Sequence, residues 1–274
     1  MKAKKILFIT QEMTPYVPES ELAEIGRKIP QAIQEKGREI RTFMPKWGNI
    51  NERRNQLHEV IRLSGMNLII DDTDHPLIIK VASIQAAHMQ VYFIDNDDYF
   101  MKRQMACDEN GNEYDDNGER AIFYARGVLE TVKKLRWVPD VIHCQGWMSA
   151  LVPLYIKTAY SEEPSFCDCK VVYSAPTAGL SRPMGKNFGH SIAFKTVDSS
   201  VLKDFSEDCT FEELNRLAVN YSDGVTVPEG EAGQSLAQYA RSRGVPVLEG
   251  LTVNGADALA DFFDQVWSAG KEES

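Results

Sequence analysis

The hydrophobic positions along the chain fall into two alternating kinds of segment. Short runs of β-branched and aromatic residues, such as Lys5–Thr10 (KILFIT), are typical of strands buried on both faces of a parallel sheet. Between them, apolar residues recur at spacings of three and four, as in Ser20–Lys36, which is the pattern of an amphipathic helix. This alternation predicts an α/β fold with a doubly wound, mainly parallel, Rossmann-like sheet.

The pattern also gives the order of the elements. The predicted parallel strands are Lys5–Thr10, Glu39–Pro45, Val141–Cys144, Lys170–Ala175, Gly224–Pro228 and Pro246–Gly250. The predicted helices are Ser20–Lys36, Glu119–Trp137, Trp147–Tyr160, Thr210–Ser222, Ala232–Arg243 and Asp257–Ala269. From Leu57 to Asp95, short strands separated by turn residues indicate a small antiparallel insertion or an edge of the sheet. No repeat or linker divides the chain, so we treat residues 1–274 as a single domain.

Charge and cysteine content narrow the classes of partner and compartment. The chain has 30 basic and 40 acidic residues, and a net charge of −10 repels nucleic acids and anionic lipid, so we expect no nucleic-acid or membrane partner. An odd number of cysteines and the absence of an export signal before the first strand predict a cytoplasmic protein. Cys167 and Cys169 lack a second Cys or His pair at ligand spacing, so we expect no metal and no other cofactor.

Four segments carry a resemblance to a known family. They are KILFITQEMTPY, VYFIDNDDYFMKR, DDNGERAIFYARGVLETV and PDVIHCQGWMSALVPLYIK. In this order they resemble the N-terminal half of the ADP-glucose-type glycogen and starch synthases, over residues 5–160 and more weakly to residue 227.

The resemblance implies half of a GT-B fold. In that fold two Rossmann-like domains face each other, and in this family they transfer glucose from ADP-glucose to the non-reducing end of an α-1,4-glucan. The second domain of the family carries the basic residues that hold the diphosphate. The residues after Val227 are fewer than a nucleotide-binding domain needs, so we expect that domain to be absent.

The family's donor loop is altered in this sequence. Where the family has Lys-Thr-Gly-Gly-Leu, this chain has Pro18, Glu19, Ser20, Glu21 and Leu22. In the family the lysine supplies a cation, and the glycines let backbone N–H groups at a helix N-terminus approach the phosphates. Here two carboxylates stand in that place and oppose a diphosphate, although the same acids also stabilise a helix start. The sequence therefore argues against ADP-glucose binding.

A second motif is also degenerate. The family's His-x-His-Asp-Trp corresponds to His143, Cys144, Gln145, Gly146 and Trp147. Gln145 stands where the family's second His reaches the transferred sugar, and glutamine can hydrogen-bond a hydroxyl but carries no proton near neutral pH. His143 is either a ligand or a core histidine at a strand end. We assign no catalytic residue.

The best surviving candidates for glucan contact lie on the acceptor side. Asp116 and Asn117 match the family's Asp-Asn pair before the long helix, where the acid lines the acceptor site. Tyr99 and Trp147 offer rings on which a sugar can stack. Helix capping explains the first pair equally well, and core packing explains Trp147.

Two functions remain open. The first is a glucosyltransferase of the glycogen synthase type, which the family implies but which the altered loop predicts to be inactive alone. The second is a non-catalytic module, a pseudoenzyme that binds α-glucan or docks on a partner protein. A face normally covered by a second domain is partly apolar, so a homo-oligomer or hetero-oligomer is also expected.

Overall fold

The computed structural model describes residues 2–272, which form ten strands and seven α-helices. The strands are β1 (Lys5–Thr10), β2 (Glu39–Pro45), β3 (His58–Glu59), β4 (Met66–Ile70), β5 (Thr73–Ile84), β6 (Met89–Asp95), β7 (Val141–Gln145), β8 (Lys170–Ser174), β9 (Gly224–Val227) and β10 (Val247–Glu249). The helices are α1 (Glu21–Glu35), α2 (Asn117–Leu135), α3 (Val152–Lys157), α4 (Phe188–Ser191), α5 (Phe211–Asn220), α6 (Glu231–Ser242) and α7 (Ala256–Glu272).

The strands form one twisted sheet in the order β10-β9-β8-β7-β1-β2-β6-β5-β3, with β4 beside β5. All pairs from β10 to β6 are parallel, whereas β5 runs antiparallel to β6, β3 and β4. The predicted doubly wound sheet with a small antiparallel insertion is therefore confirmed. Parallel pairing also brings the carboxyl ends of β1, β7, β8 and β9 to the same edge.

Helices cover both faces of the sheet, and alternate residues of β1 show how. Leu7 and Ile9 pack in a core that includes residues of α2, α3 and α5, whereas Ile6 and Phe8 pack with α1 and α7. Side chains of successive residues in a strand point to opposite faces, so a run that is buried throughout needs cover on both. The ion pair of Arg38 Nη2 with Asp264 Oδ2, at 2.9 Å, ties α7 to the loop after α1.

The structure divides one predicted helix. Trp147–Tyr160 was expected to be continuous, but residues Trp147–Ser149 form a 3-10 turn and α3 is confined to Val152–Lys157. Pro153 at the start of α3 has no N–H to donate to a preceding turn, which explains why the two pieces do not merge. Within residues 2–272, no helix combines the length and the apolar composition that crossing a bilayer requires.

Candidate functional site

Gln145 lies at the carboxyl end of β7 and holds α1 against the sheet. Its Oε1 accepts a hydrogen bond from Thr10 Oγ1 at 2.7 Å, and its Nε2 donates to the Leu22 carbonyl at 3.2 Å. Gly26 of α1 lies directly above, where a Cβ would be only 2.3 Å from the Glu12 carbonyl oxygen. Both ends of the Gln145 amide therefore bind the protein itself.

His143 lies one layer deeper in β7 and is buried. Its Nε2 is 2.6 Å from Ser174 Oγ, which is in turn 2.6 Å from Thr226 Oγ1. The rings of Phe8 and Phe263 pack against the imidazole, each with its centroid 5.5 Å away. Burial lowers the pKa of His143 to about 3, so the ring is neutral near pH 7. The structure thus places His143 in the core, as the second of its two interpretations expected.

A cleft of about 220 Å³ opens above these strand ends, and we call it the strand-end cleft. It is lined by Glu21, Leu22, Ile25, Gln145, Ser174, Ala175, Pro176, Thr177, Thr226, Val227, Pro228, Glu229, Gly250, Leu251 and Thr252. The charged residues in this lining are Glu21 and Glu229, so the cleft presents negative charge.

The N-terminus of α1 borders this cleft and is already capped. Ser20 Oγ accepts the backbone N–H of Ala23 at 3.0 Å and donates to Glu12 Oε2 at 2.6 Å. Pro18, Glu19 and Glu21 are exposed on the same loop, and proline offers no N–H. The Ser20 cap therefore takes up the Ala23 N–H, and carboxylates stand where an incoming anion needs positive charge.

A second cavity, of about 430 Å³, lies at the start of α2, and we call it the α2 groove. It is lined by Asp115, Asp116, Glu119, Arg182, Pro183, Met184, Gly185, Lys186, Asn187, Phe188 and Asp208. Sequence reasoning found Asp116 but missed Glu119 and the residues from 182 to 187. Residues 182–187 belong to an irregular segment between β8 and α4, where no periodic pattern of apolar residues marks a function.

The predicted Asp-Asn pair divides between the α2 groove and the core. Asp116 lines the groove and makes no side-chain cap of α2; its Oδ2 accepts from Arg103 Nη1 at 2.7 Å. Asn117 is buried: its Nδ2 donates to the Ala106 carbonyl at 2.9 Å, and its Oδ1 accepts from Arg120 Nη1 at 2.8 Å. Asp116 therefore reaches the groove with both carboxylate oxygens bonded to Arg103, whereas the Asn117 amide is occupied in the core.

Tyr99 and Trp147 both lie in the core, each with 2% of its surface exposed. The Tyr99 hydroxyl is 3.0 Å from His75 Nε2 and donates to Glu119 Oε2 at 3.0 Å. Because protein atoms cover both rings, neither offers a face on which a sugar can stack. Large aromatic side chains bury more apolar area than most residues, and that gain places these two inside.

Arg120 fixes the loop that leads into α2. Its Nε donates to the Tyr99 carbonyl at 3.0 Å, and its Nη atoms donate to the carbonyls of Met105 and Gln104 at 2.7 Å each. Burial lowers its pKa to about 10, which still leaves it charged near neutral pH. A buried cation with its hydrogen bonds satisfied thus sets the position of Asp116 at the edge of the groove.

The cysteines form no disulfide. Cys167 is exposed and Cys169 is buried, and both are free thiols. Across residues 2–272 no group of three or more His, Cys, Asp or Glu side chains is arranged to hold a metal ion.

Comparison with known proteins identifies the family. The family model for the starch synthase catalytic domain matches residues 5–232, which is most of the chain. The chain belongs to the starch synthase catalytic domain family.

Sequence relatives in this family are named glycogen synthase. The protein from Chlorobium limicola is 40% identical over 169 residues, which cover 61% of this chain and 35% of the relative. The protein from Chlorobaculum parvum is 33% identical over 244 residues, which cover 87% of this chain and 48% of the relative. The chain thus spans between a third and a half of the length of these relatives.

The fold agrees with a solved member of the starch synthase family. The catalytic domain of starch synthase IV from Arabidopsis thaliana, solved with ADP and acarbose, superposes with a TM-score of 0.72 at 17% identity. The match covers 92% of this chain and 52% of that one, a GT-B glycosyltransferase. The chain therefore has the architecture of about half of that GT-B structure.

Gln11 and Gly146 are linked in space at the strand ends. Gly146 has a φ of +85°, and a Cβ there would lie 2.3 Å from Gln11 Oε1. Gln11 Nε2 donates to Glu12 Oε1 at 2.9 Å. The Gln11 side chain therefore occupies the space next to residue 146, and it helps hold the Glu12 carboxylate beside Ser20.

Proposed function

We propose that this chain serves α-glucan metabolism as a glycogen-synthase-like protein that binds glucan in the α2 groove and does not hold ADP-glucose by itself. The observation that carries this proposal is the N-terminus of α1, which is capped by Ser20 and surrounded by the carboxylates of Glu12, Glu19 and Glu21. On this view the chain is a non-catalytic member of the family.

The sizes of two electrostatic energies, charge repulsion and helix-dipole attraction, favour exclusion of a diphosphate from the strand-end cleft. Two unit charges about 4 Å apart interact by about 1 kcal/mol in water and by about 4 kcal/mol at an effective dielectric constant near 20. The helix N-terminus offers roughly 0.3–1 kcal/mol of attraction to an anion. Glu21 and Glu229 both line the cleft, so repulsion outweighs the helix dipole.

The α2 groove suits a neutral, polyhydroxylated ligand. Four of its lining side chains are acidic and two are basic, a balance that disfavours an anion. Carboxylates accept hydrogen bonds from sugar hydroxyls, while Arg182, Lys186 and Asn187 can donate to them. A glucan chain presents both donors and acceptors along its length, as this lining requires.

Isothermal titration of the chain with maltoheptaose tests the glucan part of the proposal. We expect a saturable heat, weakened about fivefold by Lys186→Ala, because one hydrogen bond contributes about 1 kcal/mol. Lys203→Ala removes an equally exposed lysine outside the groove and should leave the affinity unchanged. Equal affinities for the two variants, or no binding at all, would contradict the groove as the glucan site.

An incorporation assay tests the non-catalytic part. With ADP-glucose as donor and glycogen as primer, the purified chain should add no glucose above background. Glucose incorporation would show that these residues assemble a working site and would overturn the proposal.

A specific observation keeps partner docking as a second candidate. A cavity of about 590 Å³ between α5 and α6 has an apolar floor that includes Phe211, Leu236, Pro176 and Pro228. Concentration-dependent self-association in sedimentation experiments, with no response to maltoheptaose, would favour docking over glucan binding.

A further inference from the structure

The segment of residues 177–187, which we call the strap, forms one wall of the α2 groove. It follows β8, and it contributes Arg182, Lys186 and Asn187 to the lining. Its first residue, Thr177, lines the strand-end cleft instead. The position of the strap therefore determines the shape of the groove.

One carboxylate, that of Glu113, binds the middle of the strap. Glu113 Oε1 accepts the backbone N–H of Ser181 at 2.7 Å and its hydroxyl at 3.0 Å. Glu113 Oε2 accepts the backbone N–H of Arg182 at 2.8 Å, and the Glu113 carbonyl accepts from the Arg182 guanidinium at 3.0 Å. Two successive backbone N–H groups thus each have their own carboxylate oxygen.

The strap and the start of α2 are also built to approach each other closely. The Gly118 N–H donates to the Met184 carbonyl at 3.0 Å, and a Cβ at 118 would lie 2.4 Å from that oxygen. Met184 is buried, and its own N–H donates to the Cys209 carbonyl at 2.9 Å. One end of the strap is therefore anchored in the core, and in the stretch before it the backbone N–H groups of Ser181 and Arg182 bond to Glu113, while the Arg182 side chain pairs with Asp115.

We propose that Glu113 is a positioning residue for the α2 groove, because it fixes the strap in place before a ligand arrives. The ligand named in this inference rests on the proposed glucan function, whereas the contacts by which Glu113 fixes the strap do not depend on that function. A wall already in its bound position lowers the conformational cost of binding, and its release lowers affinity without removing a ligand contact.

The variant Glu113→Gln tests this directly. The amide keeps the size of the side chain but offers one acceptor and one donor group in place of two acceptor oxygens, so it cannot serve both backbone N–H groups. Glu109→Gln, an exposed position in the same loop, is the matched control. Hydrogen exchange of the Ser181 and Arg182 amides, without ligand, should be about tenfold faster in Glu113→Gln and unchanged in Glu109→Gln.

The second readout is maltoheptaose affinity as a function of pH. Near neutral pH Glu113→Gln should bind about tenfold more weakly than the wild type. The difference in affinity between the two proteins should narrow at acidic pH, because the Glu113 carboxylate of the wild type is then protonated. The other charged groups at this contact are Arg182, its partner Asp115, and the neighbouring Cys107 thiol, and all are shared by both proteins.

The outcomes separate the two claims. Unchanged exchange at Ser181 and Arg182 overturns the role of Glu113, whatever the glucan result. Faster exchange with unaltered affinity also overturns it, because the strap would then not shape the groove. If the wild type binds no maltoheptaose, the proposed function fails, and Glu113 cannot be a positioning residue for a glucan.

Discussion

The starts of α1 and α2 are both acidic, yet their acids have opposite surroundings. At α2, Asp116 is paired with Arg103 and Asp115 with Arg182. At α1, Glu19 and Glu21 have no cation within ion-pair distance among residues 2–272, and Ser20 occupies the helix end. Acidic composition alone therefore does not fix the net charge at a helix start, because cations placed beside the acids offset it.

This contrast assigns different tasks to the two helix starts. Paired acids can still accept hydrogen bonds from sugar hydroxyls, because pairing neutralises their net field and leaves lone pairs available. Unpaired acids around a capped helix end raise the cost of bringing in a pyrophosphate.

The largest expected effect concerns the start of α2, where the charges are paired. Arg120→Met should lower the free energy of unfolding by about 4 kcal/mol, because several buried carbonyls lose their donor. Arg216→Met, which removes a partly exposed arginine of α5, should cost roughly 0.5 kcal/mol or less. Urea denaturation of both variants measures the difference, and similar losses would show that Arg120 does not organise the loop.

The next effect concerns the start of α1, where the carboxylates are unpaired. Replacing residues 18–21 by Lys-Thr-Gly-Gly should strengthen ADP-glucose binding by about 2 kcal/mol, or thirtyfold, because two carboxylates leave and one cation arrives. Calorimetry detects the gain as saturable heat in the variant at ADP-glucose concentrations where the unmodified chain gives none. Glu162→Thr combined with Asp168→Gly removes two exposed acids elsewhere and should give no gain; an equal gain would attribute the effect to net charge alone.

The pH dependence of stability tests the burial of His143 below the strand ends. The pKa of His143 is about 3 in the folded protein, against an ordinary value of 6.5. Between these values the unfolded chain binds a proton that the folded protein does not, so stability falls as pH falls, by about 1.4 kcal/mol per unit. His143→Gln should remove this slope between pH 6.5 and 5.5, whereas the exposed His58→Gln should keep it.

A persistent slope in His143→Gln would locate the proton uptake at other groups. Denaturation curves at each pH supply the measurement, and they report the slope independently of any constant loss of stability in the variant.

The smallest effect concerns the cap of α1. Ser20→Ala should cost about 1 kcal/mol, a fall in Tm of roughly 2–4 °C for a protein of this size. Glu19→Ala, one residue earlier, should change Tm little because its side chain is exposed. A larger loss at Glu19 than at Ser20 would mean that the acids, not the serine, stabilise the helix start.

The sequence was sufficient for the fold and for the charge of the loop before α1. Strand and helix periodicities predict the parallel sheet, and Ser20 before an apolar stripe predicts the start of α1. It was not sufficient for the α2 groove, because Arg182 and Lys186 reach it only through long-range contacts of the strap with Glu113 and Gly118. Residue type could not decide the burial of Tyr99 either, since aromatic rings serve both cores and sugar sites.

Titration of the unmodified chain with ADP-glucose at low ionic strength shows whether the start of α1 excludes a nucleotide sugar, because repulsion between carboxylates and a diphosphate is least screened there. The unpaired carboxylates and the capped helix start of α1 predict no saturable heat up to millimolar nucleotide sugar. Saturable binding at micromolar concentrations would show that these carboxylates do not exclude it.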